Sequence, residues 1–211
     1  AELLRRRLEQ SPPERLKHLH RRAAEWFEKN RFPLDAVRHW IAAEEPQRVA
    51  ELVEQILSQT WGKAELGILM KRIETLPESV LAEHPSLSAF LGWSWIWLGY
   101  GSQRILSLLD RAEQNCQKDS PILGRLNVVR SITLRISQYN STESLRLASL
   151  ALNQLAPEDL QWRRFAQLET AIATHTLGRH LAEVEAAYAE TSRLCELAGD
   201  KMTAWIAACA R

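Results

Sequence analysis

The chain has 211 residues, with 27 basic against 26 acidic side chains and a formal net charge of +1. A nearly neutral protein has no global attraction to nucleic acid or to an anionic membrane. No apolar run reaches the roughly 18 residues of a membrane span, and the first ten residues lack the apolar core and cleavage site of a signal peptide. The sequence therefore predicts a soluble, cytoplasmic protein. Its one basic run, Arg5 to Arg7, fits a solvated helix face or chain end better than a nucleic-acid contact.

The cysteines and histidines do not form a predicted metal site. Cys116, Cys195 and Cys209 are widely spaced, and each falls on or beside an apolar helical stripe. This pattern favours buried free thiols in a reducing compartment over disulfides. His18 and His20 are two residues apart on a predicted helix, so they face nearly opposite directions and cannot share a metal ion.

The first block of the chain, Pro12 to Ser58, predicts three short helices joined by tight turns. Apolar residues recur at helical spacing in each helix, and prolines stand where the second and third helices begin. In the first helix the inward stripe includes Trp26 and Phe27. A second block, Trp61 to His84, predicts a helix that runs through Leu76 and a short helix after Pro77.

Internal repetition dominates the rest of the chain. Pro85, Pro121 and Pro157 follow one another at intervals of 36 residues. Each stands where a helix is expected to begin, because a residue at the first helical position needs no amide proton. Each is followed by two amphipathic segments separated by a turn, and the chain stops inside a further helix that begins near Met202. We therefore expect the sequence to be a fragment, truncated at its C-terminus.

These patterns predict an all-α fold, because no alternating strand pattern bounded by hairpin turns occurs. We expect a right-handed solenoid of antiparallel helical hairpins, similar in kind to tetratricopeptide repeats, in which the first helix of each hairpin lines a concave surface. The predicted organisation is residues 1–11 as the tail of a preceding region, residues 12–84 as N-terminal helical repeats, and residues 85–211 as tetratricopeptide-like hairpins.

Catalytic chemistry has little support in the sequence. Gly62-Lys63 is a GK pair, but the position five residues before Gly62, where a phosphate loop needs glycine, is Leu57. No serine, cysteine or acidic pair has the local context of a nucleophile or a general acid. We therefore expect that the chain is not an enzyme and that it holds no metal and no cofactor.

Two stretches carry a resemblance to a known family. The segment LHRRAAEWFEKNRFPLDAVRHWIAAEEPQRVAELVEQ, Leu19 to Gln55, is similar to the segment that follows the winged-helix part of the MalT-like (LAL) subgroup of LuxR-family transcriptional regulators. The next stretch resembles the subgroup's LxxWLxxLPxxVLxxxPxLxLxxAWxLxxxG pattern. That match is carried by Leu76, Pro77, Val80, Leu81, Pro85, Leu87, Trp93 and Gly99.

The resemblance implies a function for a piece of a larger protein. Regulators of this subgroup are ATP-dependent signal-transduction proteins in which a tetratricopeptide-like sensor lies between a STAND-type ATPase with its winged helix and a DNA-binding helix-turn-helix. The chain would be the effector-sensing and oligomerisation region, with residues 1–11 as the tail of the winged-helix part. ATP is expected for the full-length protein. The expected partners are a small inducer or a regulatory protein and further copies of the full-length protein, with no direct DNA contact and no membrane contact by this fragment.

A candidate effector site follows from the repeat spacing. Adding 36 to Trp93 and Trp97 gives Val129 and Thr133, and adding 36 again gives Phe165 and Glu169. If the two tryptophans face the concave surface, five side chains would line a groove suited to an aromatic or sugar-like inducer. These are Trp93, Trp97, Arg130, Thr133 and Glu169. A role for the tryptophans in the core between hairpins remains open, and the alternative function is a tetratricopeptide-like scaffold that holds a peptide.

Overall fold

The computed structural model describes residues 12–57 and 65–210. All regular secondary structure in these two ranges is α-helical, with no strand, which confirms the predicted all-α class. Arg5 to Arg7, the Gly62-Lys63 pair and the predicted winged-helix tail at residues 1–11 lie outside the described residues. In the described part of the chain no helix is long and apolar enough to cross a lipid bilayer.

The chain divides into two compact units after Leu81. The helices of the first unit are α1 (Pro13–Lys29), α2 (Pro33–Ala42), α3 (Pro46–Leu57) and α4 (Glu65–Ile73). A short helix, α5 (Glu78–Glu83), spans the division. The helices of the second unit are α6 (Pro85–Trp97), α7 (Ser102–Gln114), α8 (Ile122–Gln138), α9 (Ser141–Gln154), α10 (Leu160–Thr176), α11 (Leu181–Leu197) and α12 (Lys201–Cys209).

The first unit packs helix on helix in chain order, with α1 on α2, α2 on α3 and α3 on α4. Prolines begin α1, α2 and α3, as predicted for the second and third of these helices, because their missing amide proton costs no hydrogen bond at the first helical position. The predicted inward position of Trp26 is wrong, since the side chain is 55% exposed and Ala24 is the buried residue of α1. The helix predicted to reach Leu76 ends at Ile73.

A histidine pair between α1 and α2 was not predicted from the sequence. The Nδ1 atoms of His20 and His39 are 2.8 Å apart, and the ring of Phe27 stacks on His39 with centroids 5.2 Å apart. The pKa of His39 lies below its ordinary value, chiefly because burial disfavours the charged ring, and the charges of His20 and Arg38 lower it further against an opposing effect of Asp35.

Acidification is expected to destabilise the first unit through His39. A histidine whose pKa is lower in the folded than in the unfolded state contributes stability above the unfolded pKa of about 6.5, and that stability is lost as the pH falls through this value. The free energy of unfolding of His39→Gln should therefore depend less on pH between about pH 7 and 5 than that of the unsubstituted chain. Urea unfolding at a series of pH values measures this, with the exposed His18→Gln as control. Equal pH dependence of all three proteins would contradict the expectation.

In the second unit each helix packs on the next one along the chain, and α6 also packs on α8 and α8 on α10. Pro85 begins α6 and Pro121 immediately precedes α8, as predicted. Pro157 differs, because it lies in a turn three residues before Leu160, the first residue of α10, and Asp159 occupies the N-cap position. The prolines at this spacing therefore mark the starts of α6, α8 and α10 only approximately and do not occupy one fixed helical position.

Ion pairs join residues of the second unit that are about one repeat apart. Arg125 Nε donates to Asp159 Oδ2 over 2.7 Å, and Arg164 pairs with Asp200. Asp200 caps α12 by accepting the amide of Thr203 at 3.1 Å. Arg125, near the start of α8, thus pairs with the aspartate that precedes α10. Arg164, near the start of α10, pairs in the same way with the aspartate that precedes α12. These ion pairs link the start of α8 to the start of α10, and the start of α10 to the start of α12.

Candidate functional site

The predicted site lies where the first helices of the hairpins, α6, α8 and α10, meet. Helix α6 is apolar on nearly every side, so it is stable only when other helices cover it. At Gly92 the backbone of α6 lies close to α8, because a methyl group at this position would be 3.1 Å from Cγ1 of Val129. The small residue therefore brings α6 and α8 close enough for large side chains of α6 and α10 to meet.

Five aromatic rings, which we call the aromatic cluster, connect α6 with α10. Phe90 contacts Trp162 with centroids 5.3 Å apart, and Trp93 contacts Phe165 at 5.5 Å. Trp162 and Phe165 lie 6.1 Å apart, and Trp93 and Trp97 lie 6.3 Å apart. Phe90 and Trp162 are buried, whereas Trp97 is 66% exposed. The cluster therefore runs from a dry core to the surface, where Trp97 presents most of its ring to solvent.

Trp93 and Trp97 are the two predicted site residues that the structure brings together. Arg130, on α8, donates instead to Asp110 Oδ1 and to Glu113 Oε2, each over 2.7 Å. Its side chain is mostly buried in that double ion pair with α7. Three of the five N–H donors of its guanidinium are used, two by these carboxylates and one by Asn127 Oδ1 at 3.3 Å.

Thr133 and Glu169 are both buried, and their polar groups are engaged in hydrogen bonds. The Thr133 hydroxyl is buried and donates to the carbonyl of Val129, one turn earlier, over 2.7 Å. The Glu169 side chain is also buried, because it pairs with Arg135 and accepts a hydrogen bond from Ser144 Oγ at 2.7 Å. The 36-residue spacing placed Thr133 and Glu169 on equivalent helical faces. Their hydrogen bonds, however, are made where the helices pack against one another. Effector binding by Trp93, Trp97, Arg130, Thr133 and Glu169 stays a prediction.

An open groove along α7 was not anticipated from the sequence. It has a volume of about 670 Å³ and is lined mostly by polar side chains. The lining residues are Ser102, Gln103, Leu106, Ser107, Asp110, Arg111, Gln114 and Gln138. In the sequence this groove corresponds to the polar face of α7. Any solvent-exposed helix has such a face, so the pattern did not indicate a groove.

The cysteines differ in burial. Cys195 is buried as predicted, Cys116 is half-buried, and Cys209 is exposed, which corrects its predicted burial. Burial raises the pKa of the Cys195 thiol, against a smaller opposing effect of Arg164, so the group is held as a thiol rather than a nucleophilic thiolate. Within residues 12–57 and 65–210 no group of three or more His, Cys, Asp or Glu side chains could hold a metal ion.

The chain is similar to known proteins over part of its length. No protein-family profile matches the chain, and no solved structure matches it. Over 138 residues, or 63% of its length, the chain is 30% identical to the serine/threonine-protein kinase PknK of Mycobacterium tuberculosis strains CDC 1551 and H37Rv and of Mycobacterium bovis strain AF2122/97. The matched region is only 12% of the length of these relatives.

Proposed function

We propose that the chain is the effector-sensing and oligomerisation region of a MalT-like, LuxR-type, ATP-dependent transcriptional activator. In this role it binds a small inducer or a regulatory protein in the cytoplasm and signals to ATPase and DNA-binding parts that lie elsewhere in the polypeptide. In this role the chain makes no contact with promoter DNA or with a membrane and catalyses no reaction. The order of the LHRRAAEWF and LPESVL motifs supports this proposal over a generic helical repeat.

The partial similarity to PknK is compatible with a regulatory segment. Because 138 residues are 12% of its length, that kinase has about 1,150 residues, so the similarity covers a small region of a large protein. The nucleotide site of a protein kinase is built on a strand that carries an essential lysine. The helices of the described residues do not resemble that architecture, and we infer that the shared region is a helical segment outside a kinase catalytic domain.

For the arrangement of the helices we propose a right-handed solenoid of antiparallel, tetratricopeptide-like hairpins. Two observations support it. First helices pack on first helices, α6 on α8 and α8 on α10, as stacked hairpins require. Ion pairs also recur between residues about one repeat apart, 34 for Arg125 with Asp159 and 36 for Arg164 with Asp200.

The observation that carries the sensor proposal is the exposure of Trp97 at the end of the aromatic cluster. A tryptophan that is 66% exposed yet contacts a buried network of rings gives a ligand a large apolar surface in a fixed position. Because Trp93 links Trp97 to Phe165 on α10, a ligand that displaces either ring acts on two helices at once. This is the coupling that a sensor needs.

Replacing Trp97 by alanine is expected to weaken effector binding by about 30-fold or more, the effect of losing an aromatic hot spot. The effector is first found by a thermal-shift screen of metabolites, because a ligand of the folded state raises the melting temperature. Titration calorimetry then compares Trp97→Ala with Trp205→Ala. Trp205 is 68% exposed on α12 and makes a matched control. Equal affinities for the two variants would refute the site, and the absence of any stabilising metabolite would refute small-molecule sensing.

A tetratricopeptide-like interaction scaffold is the alternative function. It is favoured by the exposed apolar side chains of Trp97, Leu98 and Tyr100 at one hairpin tip, since aromatic residues are enriched in protein interfaces. The same Trp97→Ala variant would then lose binding to a peptide or protein partner while no metabolite stabilises the chain.

A further inference from the structure

Two exposed rings in the first unit are held parallel to each other. Trp26, near the end of α1, and Phe32, just before α2, are 55% and 52% exposed. Their planes differ by 9° and their centroids lie 6.5 Å apart. Phe27 stands at nearly right angles to both rings, with centroids 5.1 Å from Trp26 and 6.2 Å from Phe32. Contiguous exposed apolar groups rimmed by polar residues are a feature of interaction sites.

The turn between α1 and α2 fixes the position of Phe32. Arg31 has a left-handed backbone, with φ 63°, and its amide donates to the carbonyl of Glu28. The amide of Phe32 donates to the carbonyl of Phe27 over 2.9 Å. This is a Schellman motif, in which the residue after the left-handed position packs on the last turn of the helix. Pro33 then begins α2, so the ring of Phe32 is placed before any ligand arrives.

Unpaired cations lie beside these rings. Arg15, Arg22 and Lys29 are seven residues apart on α1, close to two helical turns, so they share one exposed stripe. Trp26 lies on the same stripe, four residues after Arg22 and three before Lys29. None of these three cations, nor Arg31 in the turn, pairs with a carboxylate in the part of the chain that the structure describes.

Two other cations of α1, in contrast, pair with carboxylates. Lys17 pairs with Glu44 and Arg21 pairs with Glu45, each at 2.6 Å. Glu28, the acidic residue two positions after Trp26, accepts from Trp40 Nε1 and pairs with Arg48. The face of α1 that meets the rest of the unit is therefore neutralised, whereas the stripe that carries Trp26 has three cations, Arg15, Arg22 and Lys29, against the exposed Glu25 at its edge.

We propose that this surface, formed by Arg15, Arg22, Trp26, Lys29, Arg31 and Phe32, binds single-stranded nucleic acid. Bases stack on the two parallel rings, and phosphates lie against the four cations. Exposed rings interleaved with unpaired basic groups are the combination by which proteins hold single strands without reading their sequence. A quaternary ammonium ligand, which aromatic residues also bind, would be repelled by the four cations.

The dimensions suit a short stretch of strand. Fourteen residues separate Arg15 from Lys29, which is about 21 Å along the helix axis. At about 3.4 Å per nucleotide, this length corresponds to about six stacked nucleotides. The proposal goes beyond sensing of an effector, because it concerns a different unit of the chain and a ligand of different chemistry.

Fluorescence anisotropy of a labelled thymidine oligonucleotide of about twelve nucleotides, titrated with the whole chain at low salt, tests the proposal. Trp26→Ala and Phe32→Ala are each expected to weaken binding by about 5- to 150-fold, the range for loss of one stacked base. Trp26→Tyr should keep most of the affinity. Trp205→Ala, an equally exposed tryptophan in the second unit, should bind as the unsubstituted chain does. Unchanged melting temperatures for Trp26→Ala and Phe32→Ala would show that the loss is not due to unfolding.

Salt dependence tests the basic residues separately. If four phosphates are neutralised, the logarithm of the binding constant should fall with the logarithm of salt concentration with a slope of about −2.8. Lys29→Gln should reduce the magnitude of that slope by about 0.7, while Lys29→Arg leaves it unchanged. Arg38→Gln, on α2, is the matched control because Arg38 is exposed and already lies 3.7 Å from Asp35.

Several outcomes would overturn the proposal. Binding that survives both ring substitutions but disappears when Arg5, Arg6 and Arg7 are replaced would assign it to that basic run. Competition by heparin with no effect of the ring substitutions would mean adsorption of any polyanion. Tight binding of thymidine monophosphate, with no gain for the oligonucleotide, would identify a free nucleotide as the ligand. If Trp26→Ala instead turned a dimer into a monomer in light scattering and left oligonucleotide binding unchanged, the surface would be a contact between copies of the chain.

Discussion

Replacing Glu169 by alanine is expected to lower the free energy of unfolding by about 3–5 kcal/mol, because the substitution leaves a partner charge without its counterion. Glu169 is 2% exposed. Both of its carboxylate oxygens are used, one by Arg135 Nε and Ser144 Oγ and the other by the second Arg135 nitrogen at 3.0 Å. The three residues belong to α8, α9 and α10, so the loss removes a link between two successive hairpins.

A surface pair of the same chemistry provides the control. Glu143 also accepts two hydrogen bonds from one arginine, Arg146, at 2.8 and 2.7 Å. That pair is exposed and lies within one helix, so Glu143→Ala should cost only about 0–1 kcal/mol. Urea unfolding followed by circular dichroism measures both variants. Similar losses for Glu169→Ala and Glu143→Ala would contradict the argument that burial decides the effect.

A double substitution separates the cost of an orphaned charge from the worth of the pair. Buried ion pairs replaced by apolar residues of similar volume are often neutral or stabilising. Arg135→Met combined with Glu169→Leu should therefore recover much of the stability that Glu169→Ala loses. Ser144 limits the recovery, because its hydroxyl would lose its carboxylate acceptor and keep only the contact with Ser131.

The helices themselves could be predicted because their signals are local. Apolar periodicity, prolines at the first turn and glycines at Gly99, Gly178 and Gly199 all act within a few residues, and these three glycines do adopt positive φ at helix ends. Arg31, Glu44 and Tyr139 adopt the same left-handed conformation. A residue with a β-carbon gives no such signal in the sequence. The turn between the first two helices was therefore predicted, but the left-handed conformation of Arg31 that places Phe32 could not be.

The candidate site was predicted less well, because burial of a charge depends on distant partners. Glu169 lies on the helical face that the repeat spacing assigned to a groove, but its arginine is 34 residues away and its serine 25 residues away. The spacing of apolar residues along a helix predicts which face is buried. It therefore assigns a charged residue to the surface, even when the charge is paired and buried. The exposure of Trp26 was missed for the opposite reason, since an aromatic residue at core spacing was read as core.

Replacing Trp162 by alanine is expected to cost about 3–5 kcal/mol, the range for removing a large buried aromatic side chain. Trp162 is 1% exposed and packs edge-to-face on Phe90 of α6. It also contacts Phe165, and Phe165 contacts Trp93. Its loss leaves a cavity between α6 and α10, next to the rings of Phe90 and Phe165.

The same substitution tests whether the aromatic cluster supports the site at Trp97. Trp162→Phe keeps a ring on Phe90 and should cost clearly less than Trp162→Ala, and Trp205→Ala should cost little because its side chain is exposed. If the cluster holds Trp97 in place, Trp162→Ala weakens effector binding at temperatures where the chain is still folded, although Trp162 itself reaches no ligand. Calorimetric affinity and urea unfolding measured on the same three variants separate the two effects. A loss of stability with unchanged affinity would assign Trp162 to the core alone.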